Sequence, residues 1–124
     1  MKLRDKANFS TYKINDIEVA LKKNLFSVVV YDNNNKPIGM GRIIGDDRIA
    51  FFIKDVIVDP EYQNMKVGNT IMTSLLDYIE NRGCVGAYVG LMSTPHKEDF
   101  YKKYGFIKRP SETLGSGMVK FLSK

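Results

Sequence analysis

Residues 56–72, with the sequence VIVDPEYQNMKVGNTIM, change from the spacing of a β-strand to the spacing of a helix. Their apolar alternation stops at Pro60, and after a polar and basic loop the apolar residues recur at intervals of three and four positions. This pattern predicts a helix over 69–82, and the apolar run at 85–92 predicts a buried strand after it. A strand, a helix and a second strand of these lengths form a βαβ crossover, whose strands lie parallel in one sheet.

Three runs rich in β-branched and aromatic residues precede the crossover, at 25–32, 38–45 and 48–58. The turn sequence NNNKP joins the first two runs, and a pair of aspartates lies between the second and the third. These short connections predict an antiparallel meander of three strands. Before the meander, NDIE at 15–18 resembles a capping box and predicts a short helix over 16–23.

Two further elements are predicted after the crossover. The segment TPHKEDFYKKYGF, residues 94–106, predicts a second helix with Thr94 as its N-cap and Pro95 at its first position. Its acidic residues come early and its lysines late, an order that complements the helix dipole. The alternation in GMVKFLS, residues 117–123, predicts a last strand. The fold class is therefore mixed α/β: an N-terminal antiparallel meander, a βαβ crossover, and a C-terminal helix and strand.

Length and composition indicate a single domain over residues 1–124, because 124 residues that are 44% hydrophobic are able to bury one core. No segment approaches the roughly 20 apolar residues that a membrane helix needs, so we expect a soluble, cytoplasmic protein without a membrane partner. The one cysteine, Cys84, has no disulfide partner, which fits a reducing compartment. Cys84 and the sole histidine, His96, lack neighbours at ligand spacing, so we predict no metal site.

The net charge of +5 suits an anionic ligand. The basic residues are spread along the chain, however, and no aromatic residues are interleaved with them as in a nucleic-acid-binding platform. This distribution argues against a nucleic-acid partner. A basic nucleic-acid-binding protein is therefore the third and least favoured hypothesis. It predicts an affinity for DNA or RNA that depends steeply on salt concentration.

The loop between the strand and the helix has the features of a phosphate site. A strand that enters a helix through a short turn points several main-chain N–H groups at one place, at the positive end of the helix dipole. Gly68 allows a close approach of the ligand, and Gln63 and Lys66 offer side-chain donors. Loops of this kind with one glycine are also common as purely structural connections, so both readings stay open on this loop alone.

Two separated motifs, VDPEYQNMKVG and FYKKYGF, together resemble the GNAT superfamily of N-acetyltransferases. The signature of that family is Arg or Gln, two residues, Gly, one residue, then Gly or Ala, between a strand ending in Val-x-Pro and a helix. Its later element is Phe-Tyr-x-x-x-Gly-Phe. The resemblance covers about residues 25–108 and implies a GNAT-like mixed sheet. Lys66 stands where the family usually has its first glycine, Asn64 occupies a second position that is often glycine, and Gly68 matches.

The resemblance implies that acetyl-CoA is the acetyl donor. Its pyrophosphate would lie on main-chain amides of the loop and helix start, and its pantetheine arm would pair like an extra strand with the end of the preceding strand. A main-chain N–H such as that of Val58 would stabilise the oxyanion of the transfer. The residues implied to bind acetyl-CoA are Val56, Ile57, Val58, Gln63, Asn64, Met65, Lys66, Val67, Gly68 and Asn69.

Transfer to an amine requires two proton transfers. The departing thiolate, whose thiol has a pKa of roughly 8.5, benefits from a proton donor. The protonated amine, with a pKa of about 10, must lose a proton before it attacks. Tyr101 matches the tyrosine of the family's later element and is the candidate acid; the alternative is a core aromatic residue. Asp55 is the candidate base, acting through a water; the alternative is a solvated charge on the strand.

The predicted function is an acetyl-CoA-dependent N-acetyltransferase that moves the acetyl group directly to a primary amine of a small molecule or a protein, in a ternary complex. No cysteine near the loop offers a covalent route, because Cys84 begins a strand far away in sequence. The alternative, motivated by Lys66 and Asn64 in the signature, is a non-catalytic module that binds or senses acyl-CoA. An uncovered sheet edge or the apolar tail strand would allow two copies to pair as a homodimer.

Overall fold

The computed structural model describes residues 12–123, which form two compact units, one ending at Leu91 and the other beginning at Met92. None of the helices in this described part is long and apolar enough to cross a membrane. The elements, in chain order, are helix α1 (Ile14–Leu21), strands β1 (Phe26–Tyr31), β2 (Pro37–Gly45) and β3 (Ala50–Val58), a 3-10 turn (Pro60–Tyr62), helix α2 (Val67–Arg82), strand β4 (Tyr88–Leu91) and helix α3 (Glu98–Lys102).

The first unit contains a four-stranded mixed sheet in the order β1-β2-β3-β4. Strands β1, β2 and β3 are antiparallel neighbours, and β4 pairs with β3 in parallel after the α2 crossover. This arrangement confirms the predicted meander and the predicted βαβ unit. The strand predicted over 85–92 is shorter than expected, because residues 85–87 form a turn before Tyr88.

Helix α2 packs on the sheet through one apolar face. Two glycines of β2 allow this packing to be close: a Cβ atom at Gly39 would lie 2.7 Å from Val67 Cγ1, and one at Gly41 would lie 2.8 Å from Ile71 Cγ2. Because a side chain at either position would push the helix away, glycine fixes the distance between α2 and β2. The buried residues of the helix are Val67, Ile71, Met72, Leu75 and Ile79, and those of the sheet include Ile43, Phe51, Ile53 and Ile57.

An aspartate closes each of the two hairpin turns. Asp32 Oδ1 accepts hydrogen bonds from the N–H groups of Lys36 at 3.0 Å and Asn34 at 2.8 Å. Asp46 Oδ1 accepts three more from residues 48–50, at 2.9 to 3.0 Å. These N–H donors, first that of Lys36 for Asp32 and that of Ala50 for Asp46, lower the pKa of both carboxyls.

The first helix begins earlier than its capping box predicts. Lys13 is the N-cap of α1 and makes no side-chain cap bond, so the predicted cap at Asn15 and the bounds 16–23 are wrong. No residue of α1 is buried. The helix therefore forms by local hydrogen bonding without the packing that fixes α2.

The second unit contains a helix that is shorter than predicted. Residues 94–97 form a turn in which the N–H of Lys97 donates to the carbonyl of Thr94 at 3.3 Å. His96 has a φ of 72°, which lies outside helical conformation. The predicted N-cap at Thr94 and first helical position at Pro95 are therefore wrong, and α3 begins at Glu98. Acidic residues do occupy its first turn and Lys102 its last, as predicted.

The predicted last strand over 117–123 is not formed in the described chain. These residues have no secondary structure and are exposed. A strand needs a neighbour that accepts its main-chain hydrogen bonds, and alternating apolar residues alone do not supply one.

Candidate functional site

Strand β3 has two edges, and they are paired over different lengths. Strand β2 pairs with one edge from Phe51 to Val58. Strand β4 pairs with the other edge only over Ala50–Ile53. Within the described chain, the ladder with β4 therefore leaves Val56–Val58 unpaired along the second edge, which is the open edge of β3.

A β-bulge separates the paired and unpaired parts of this edge. Asp55 and Val56 of β3 together lie opposite one residue of β2, Gly41. Asp55 has a φ of 55°, a left-handed conformation that few residues other than glycine adopt and that aspartate tolerates better than most. A bulge bends its strand and increases the twist, and this bulge lies just beyond Ile53, where the ladder with β4 ends.

An ion pair holds the bulge. Arg42 Nε donates to Asp55 Oδ2 at 2.8 Å, and the two side chains are 14% and 9% exposed. Arg42 Nη1 also donates to Asn24 Oδ1 at 2.8 Å. The predicted base Asp55 is thus a nearly buried partner of Arg42 at the bulge, and its catalytic role stays a prediction. Sequence reasoning missed Arg42 and Asn24, because neither is close to Asp55 in the chain.

The direction of the main-chain amides at the end of β3 follows from one hydrogen bond. The N–H of Asp59 donates to the carbonyl of Ile38 in β2 at 2.8 Å. Because N–H groups alternate between the two edges of a strand, that of Val58 points to the open edge. The same alternation turns Ile57 toward β2 and Val56 toward the open edge. Of the three strand residues predicted to bind acetyl-CoA, two therefore present their main chain outward.

The 3-10 turn after β3 is tied to the turn between β1 and β2. Asp59, which is fully buried, caps the 3-10 turn by accepting the N–H of Glu61 at 3.0 Å. The hydroxyl of Tyr62 donates to Asp32 Oδ2 at 3.0 Å, and this hydrogen bond raises the pKa of Tyr62. Lys36 Nζ lies 3.9 Å from Asp59 Oδ2. These contacts anchor the loop that leads into α2, and no periodic pattern in the sequence predicts them.

In the loop after the 3-10 turn, the two residues that stand where the family signature often has glycine adopt the left-handed backbone conformation that glycine favours. Asn64 has a φ of 69° and Lys66 has a φ of 65°. Lys66 is the N-cap of α2, and the N–H of Thr70 closes the first helical hydrogen bond onto its carbonyl at 3.1 Å. The amides of residues 67 and 68 precede this bond and consequently have no carbonyl within the helix to bind. They form the positive end of the α2 dipole, which is a general binding place for phosphate.

The side chains of this loop differ in exposure. Val67 is buried against the sheet and Gly68 is partly buried. The remaining residues predicted to bind the pyrophosphate are exposed: Gln63, Asn64, Met65, Lys66 and Asn69. Gln63 Nε2 lies 3.5 Å from the carbonyl oxygen of Val58, so its side chain reaches the open end of β3.

Tyr101 lies in the second unit, on α3, among other aromatic rings. Its ring is edge-on to Phe100 at 5.1 Å and to Phe106 at 6.3 Å between centroids. Burial raises the pKa of Tyr101 above the ordinary value of 10.0, so its hydroxyl is protonated at neutral pH. A protonated phenol is able to act as an acid, and the ring contacts also fit a core aromatic residue.

The sequence assigns neither His96 nor Cys84 to a metal site. His96 is exposed in a turn, and Cys84 is partly buried. Within residues 12–123, no three His, Cys, Asp or Glu side chains are grouped so as to hold a metal ion.

Comparison with solved structures shows the same fold in other proteins. A protein of unknown function, a probable acetyltransferase from meticillin-resistant Staphylococcus aureus, is 36% identical, with a TM-score of 0.87 over 97% of this chain and 89% of its own. An acetyltransferase of the GNAT family from Streptococcus pneumoniae is 25% identical, with a TM-score of 0.81 over 99% of this chain and 88% of its own. Glucosamine-6-phosphate N-acetyltransferase from Arabidopsis thaliana, at 17% identity and a TM-score of 0.73 over 98% of this chain and 88% of its own, shares the fold.

Sequence relatives point the same way. The chain is 30% identical over 105 residues to GCN5-related N-acetyltransferase 1, chloroplastic, from Arabidopsis thaliana, which covers 84% of this chain and 52% of the relative. It is 27% identical over 116 residues to an uncharacterized N-acetyltransferase, ycf52, from Pyropia yezoensis, covering 91% and 66%. The chain thus spans about half the length of the first relative and 66% of the length of the second. The family model described as an acetyltransferase (GNAT) domain matches residues 5–121. This chain belongs to the GNAT family of acetyltransferases.

Proposed function

We propose that this chain is an acetyl-CoA-dependent N-acetyltransferase that transfers an acetyl group directly to a primary amine within a ternary complex. The observation that carries the proposal is the continuity of two main-chain surfaces. The open edge at Val56–Val58 leads through an anchored turn to the positive end of α2. An extended amide-containing arm that ends in a pyrophosphate is complementary to such a surface.

The residues of this chain fit acetyl-CoA in two ways. Val56 and Val58 offer outward main-chain groups to the pantetheine arm, while Ile57 holds the strand to β2. The loop and helix start, residues 63–69, offer amides to the pyrophosphate, and the exposed side chain of Lys66 adds a positive charge. Acetyl-CoA supplies a thioester carbonyl that an amine is able to attack and a thiolate that is able to leave.

Two groups of the chain are assigned to charge and proton handling. The outward N–H of Val58 is the donor to the oxyanion, because a preorganised main-chain donor stabilises charge that develops during transfer. The hydroxyl of Tyr101 donates the proton that the leaving thiolate needs. Its raised pKa keeps that proton in place over the neutral range.

Asp55 is proposed as the base, through a water. Because Arg42 already donates to Asp55 Oδ2, the carboxylate is fixed at the bulge and does not reach out as a mobile side chain. A relay through water is therefore the form of base catalysis that its position supports. The acceptor is a primary amine of a small molecule or of a protein. We propose that the protein acts in the cytoplasm and that the reaction requires no metal.

The first experiment is a calorimetric titration of the protein with acetyl-CoA, with CoA and ATP as comparison ligands. We expect acetyl-CoA and CoA to bind and ATP not to bind, because the pantetheine arm is the part that pairs with β3. Gly68→Val should weaken binding of both CoA ligands by blocking close approach to the amides. Gly115→Val is the matched control, since a Cβ atom at Gly115 meets nothing within 4 Å. No binding of acetyl-CoA at millimolar concentration would contradict the proposal.

The second experiment tests the acid. Tyr101→Phe should lower kcat by about 100-fold or more, the usual contribution of a general acid, with little change in acetyl-CoA affinity. Tyr104→Phe is the matched control, because Tyr104 packs on the same Phe100 ring. If kcat of the Tyr101 variant is unchanged over a panel of amines, Tyr101 has no acid role.

A non-catalytic acyl-CoA-binding module is the second candidate, favoured by the lysine at the first glycine position. Because Lys66 and Asn64 hold the left-handed conformation that glycine adopts readily, the amides of the loop keep their orientation in either case. The two candidates therefore differ in turnover and not in binding. Acetyl-CoA binding without turnover of any amine, and without an effect of Tyr101→Phe, would favour the module.

A further inference from the structure

The four strands of the described sheet contain three charged residues, and these three lie together: Arg42 in β2, and Lys54 and Asp55 in β3. Arg42 and Lys54 are directly opposite each other in the antiparallel ladder, so their side chains leave the same face of the sheet. Gly41 faces α2, so its neighbour Arg42 lies on the face that α2 does not cover. Asp55 reaches this face as well, because its carboxylate accepts from Arg42.

The charges of this group do not cancel. The carboxylate of Asp55 is paired with Arg42. Lys54 is partly buried and forms no ion pair with a carboxylate in the part of the chain that the structure describes. The other cross-strand neighbour of Arg42 is Ser27, which is neutral. Two cations and one anion therefore leave one positive charge in excess on this face.

The position of Lys54 is unfavourable for the sheet itself. Strand β3 lies between β2 and β4, so Lys54 is on an interior strand. Two like charges directly opposite each other destabilise a sheet. Departures of this kind from the rules of folding are expected at functional sites. The cost therefore indicates that the charge of Lys54 serves a ligand.

The proposed acetyl-CoA surface does not use this charge. The amides proposed to bind the pyrophosphate are at the start of α2, which packs on the other face of the sheet. Lys54 instead directly precedes Asp55, the proposed base, to which the acceptor amine must come close. The excess positive charge therefore lies on the side of the acceptor.

We propose that Lys54, together with Arg42, selects acceptor amines that also carry an acidic group, a carboxylate or a phosphate. This inference rests on the proposed function, because it assigns the acceptor of that reaction. Lysine and arginine bind carboxylate and phosphate oxygens through charge-assisted hydrogen bonds. Asp55 and Asn24 hold Arg42 at Nε and Nη1, and the guanidinium has further N–H donors. An acceptor with a second cationic group meets the excess positive charge and is disfavoured.

The test compares acceptors that share a primary amine and a chain length and differ in the charge at their other end. δ-Aminovalerate, aminopentanol and cadaverine end in a carboxylate, a hydroxyl and a second amine. Phosphoethanolamine and ethanolamine form the corresponding pair for phosphate. We expect kcat/KM of at least one acid-bearing acceptor to exceed that of its hydroxyl partner by about 10-fold, as for one partly screened charge pair, and that of cadaverine to be lowest. The pair with the larger ratio identifies the acidic group.

Substitutions of Lys54 assign the preference to its charge. Lys54→Gln should remove most of the preference for the acid-bearing acceptor, and Lys54→Arg should keep it. Arg48→Gln is the matched control, because it removes the same charge at an exposed position about 20 Å away, beyond the other end of β3. The preference is a ratio of two acceptors measured in one variant, so a general loss of stability or activity does not change it.

The outcomes separate this inference from the proposed function. Equal kcat/KM within both pairs, or the highest value for cadaverine, would overturn the inference and leave the proposed function standing. A preference that survives Lys54→Gln would overturn it as well, and so would a large loss of acetyl-CoA affinity in that variant, since Lys54 would then meet the donor. Binding of acetyl-CoA without turnover of any amine would contradict the proposed function itself, and the inference would fall with it.

Discussion

The two parts of strand β3 bury similar side chains but differ in main-chain pairing. In the first part, Ala50–Ile53, both edges are paired, with β2 on one side and β4 on the other. In the second part, Val56–Val58, β2 covers one edge and the ladder to β4 has ended. Phe51 in the first part and Ile57 in the second are equally buried. The hydrophobic core therefore does not distinguish the two parts.

The difference arises at the bulge between them. Asp55 in its left-handed conformation adds one residue to the strand, and the ion pair with Arg42 fixes it there. The first part of the strand is paired on both edges, and the second part has the main-chain groups that we propose bind acetyl-CoA. The inserted residue bends the strand between these two parts.

The largest expected effect comes from breaking the ion pair at the bulge. Arg42→Met should lower the free energy of unfolding by about 3–5 kcal/mol, since it leaves a nearly buried carboxylate without its arginine. Urea unfolding measures the change. Arg82→Met is the control, because Arg82 pairs with Asp47 at an exposed position and should matter much less. Equal effects of the two variants would mean that the pair with Arg42 does not hold the bulge.

The next effect tests the close packing of α2 beside the open part of β3. Gly39→Ala should lower the free energy of unfolding by about 1–3 kcal/mol, because the added Cβ atom would lie 2.7 Å from Val67 Cγ1. It should also weaken acetyl-CoA binding, since Val67 begins the helix that presents the amides. Gly115→Ala has free space around its Cβ atom and is the control in both measurements. An unchanged affinity of the Gly39→Ala variant for acetyl-CoA would mean that ligand binding does not depend on how closely α2 packs on β2.

A smaller effect of opposite sign is expected at the N-cap of α2. Lys66→Gly should raise the free energy of unfolding by about 1 kcal/mol, because glycine adopts the left-handed conformation without the cost of a Cβ atom. Thermal or urea unfolding measures the gain. Asn64→Gly should give a smaller gain, since asparagine tolerates this conformation better than lysine. A loss of stability in Lys66→Gly would mean that its side chain makes a stabilising contact that outweighs the strain.

The smallest effect concerns the turn that leads into the paired part of β3. The N–H groups of residues 48–50 lower the pKa of Asp46 below 3.8, so its charged form stabilises the fold above that pH and the contribution is lost as pH falls. The melting temperature of Asp46→Ala should therefore lie below that of the unmodified chain at pH 7, and the gap should narrow as pH falls below about 4. Asp77→Ala, at an exposed position on α2, is the control. A gap that is constant with pH would mean that the charge of Asp46 plays no part.

The sheet order and the crossover could be predicted because they rest on local patterns. The apolar alternation of β1 to β3, the short turns and the helical spacing after Pro60 each lie within a few residues. The site loop could be placed for the same reason, since a strand end and a helix start define it. Its αL conformation at Lys66 could be predicted only from the family signature, where glycine usually stands.

The features that could not be predicted depend on contacts between distant segments. The bulge depends on Arg42, which is in another strand, although a charged residue at an inward position of an apolar run, Asp55, was a usable signal. The start of α3 was misplaced because a turn satisfies the carbonyl of Thr94 before the helix begins. The strand predicted over 117–123 does not form in the described chain, because strand formation needs an edge partner, which the sequence pattern does not specify.

The most direct measurement of the central claim is amide hydrogen exchange along β3, by NMR, with and without saturating acetyl-CoA. We expect acetyl-CoA to slow exchange at Val56 and Val58, whose N–H groups point to the open edge. The amides of residues 51–53 should be unaffected, because that part of the strand is already paired on both edges. If acetyl-CoA binds and exchange at Val58 does not change, the open part of β3 is not the surface that receives it.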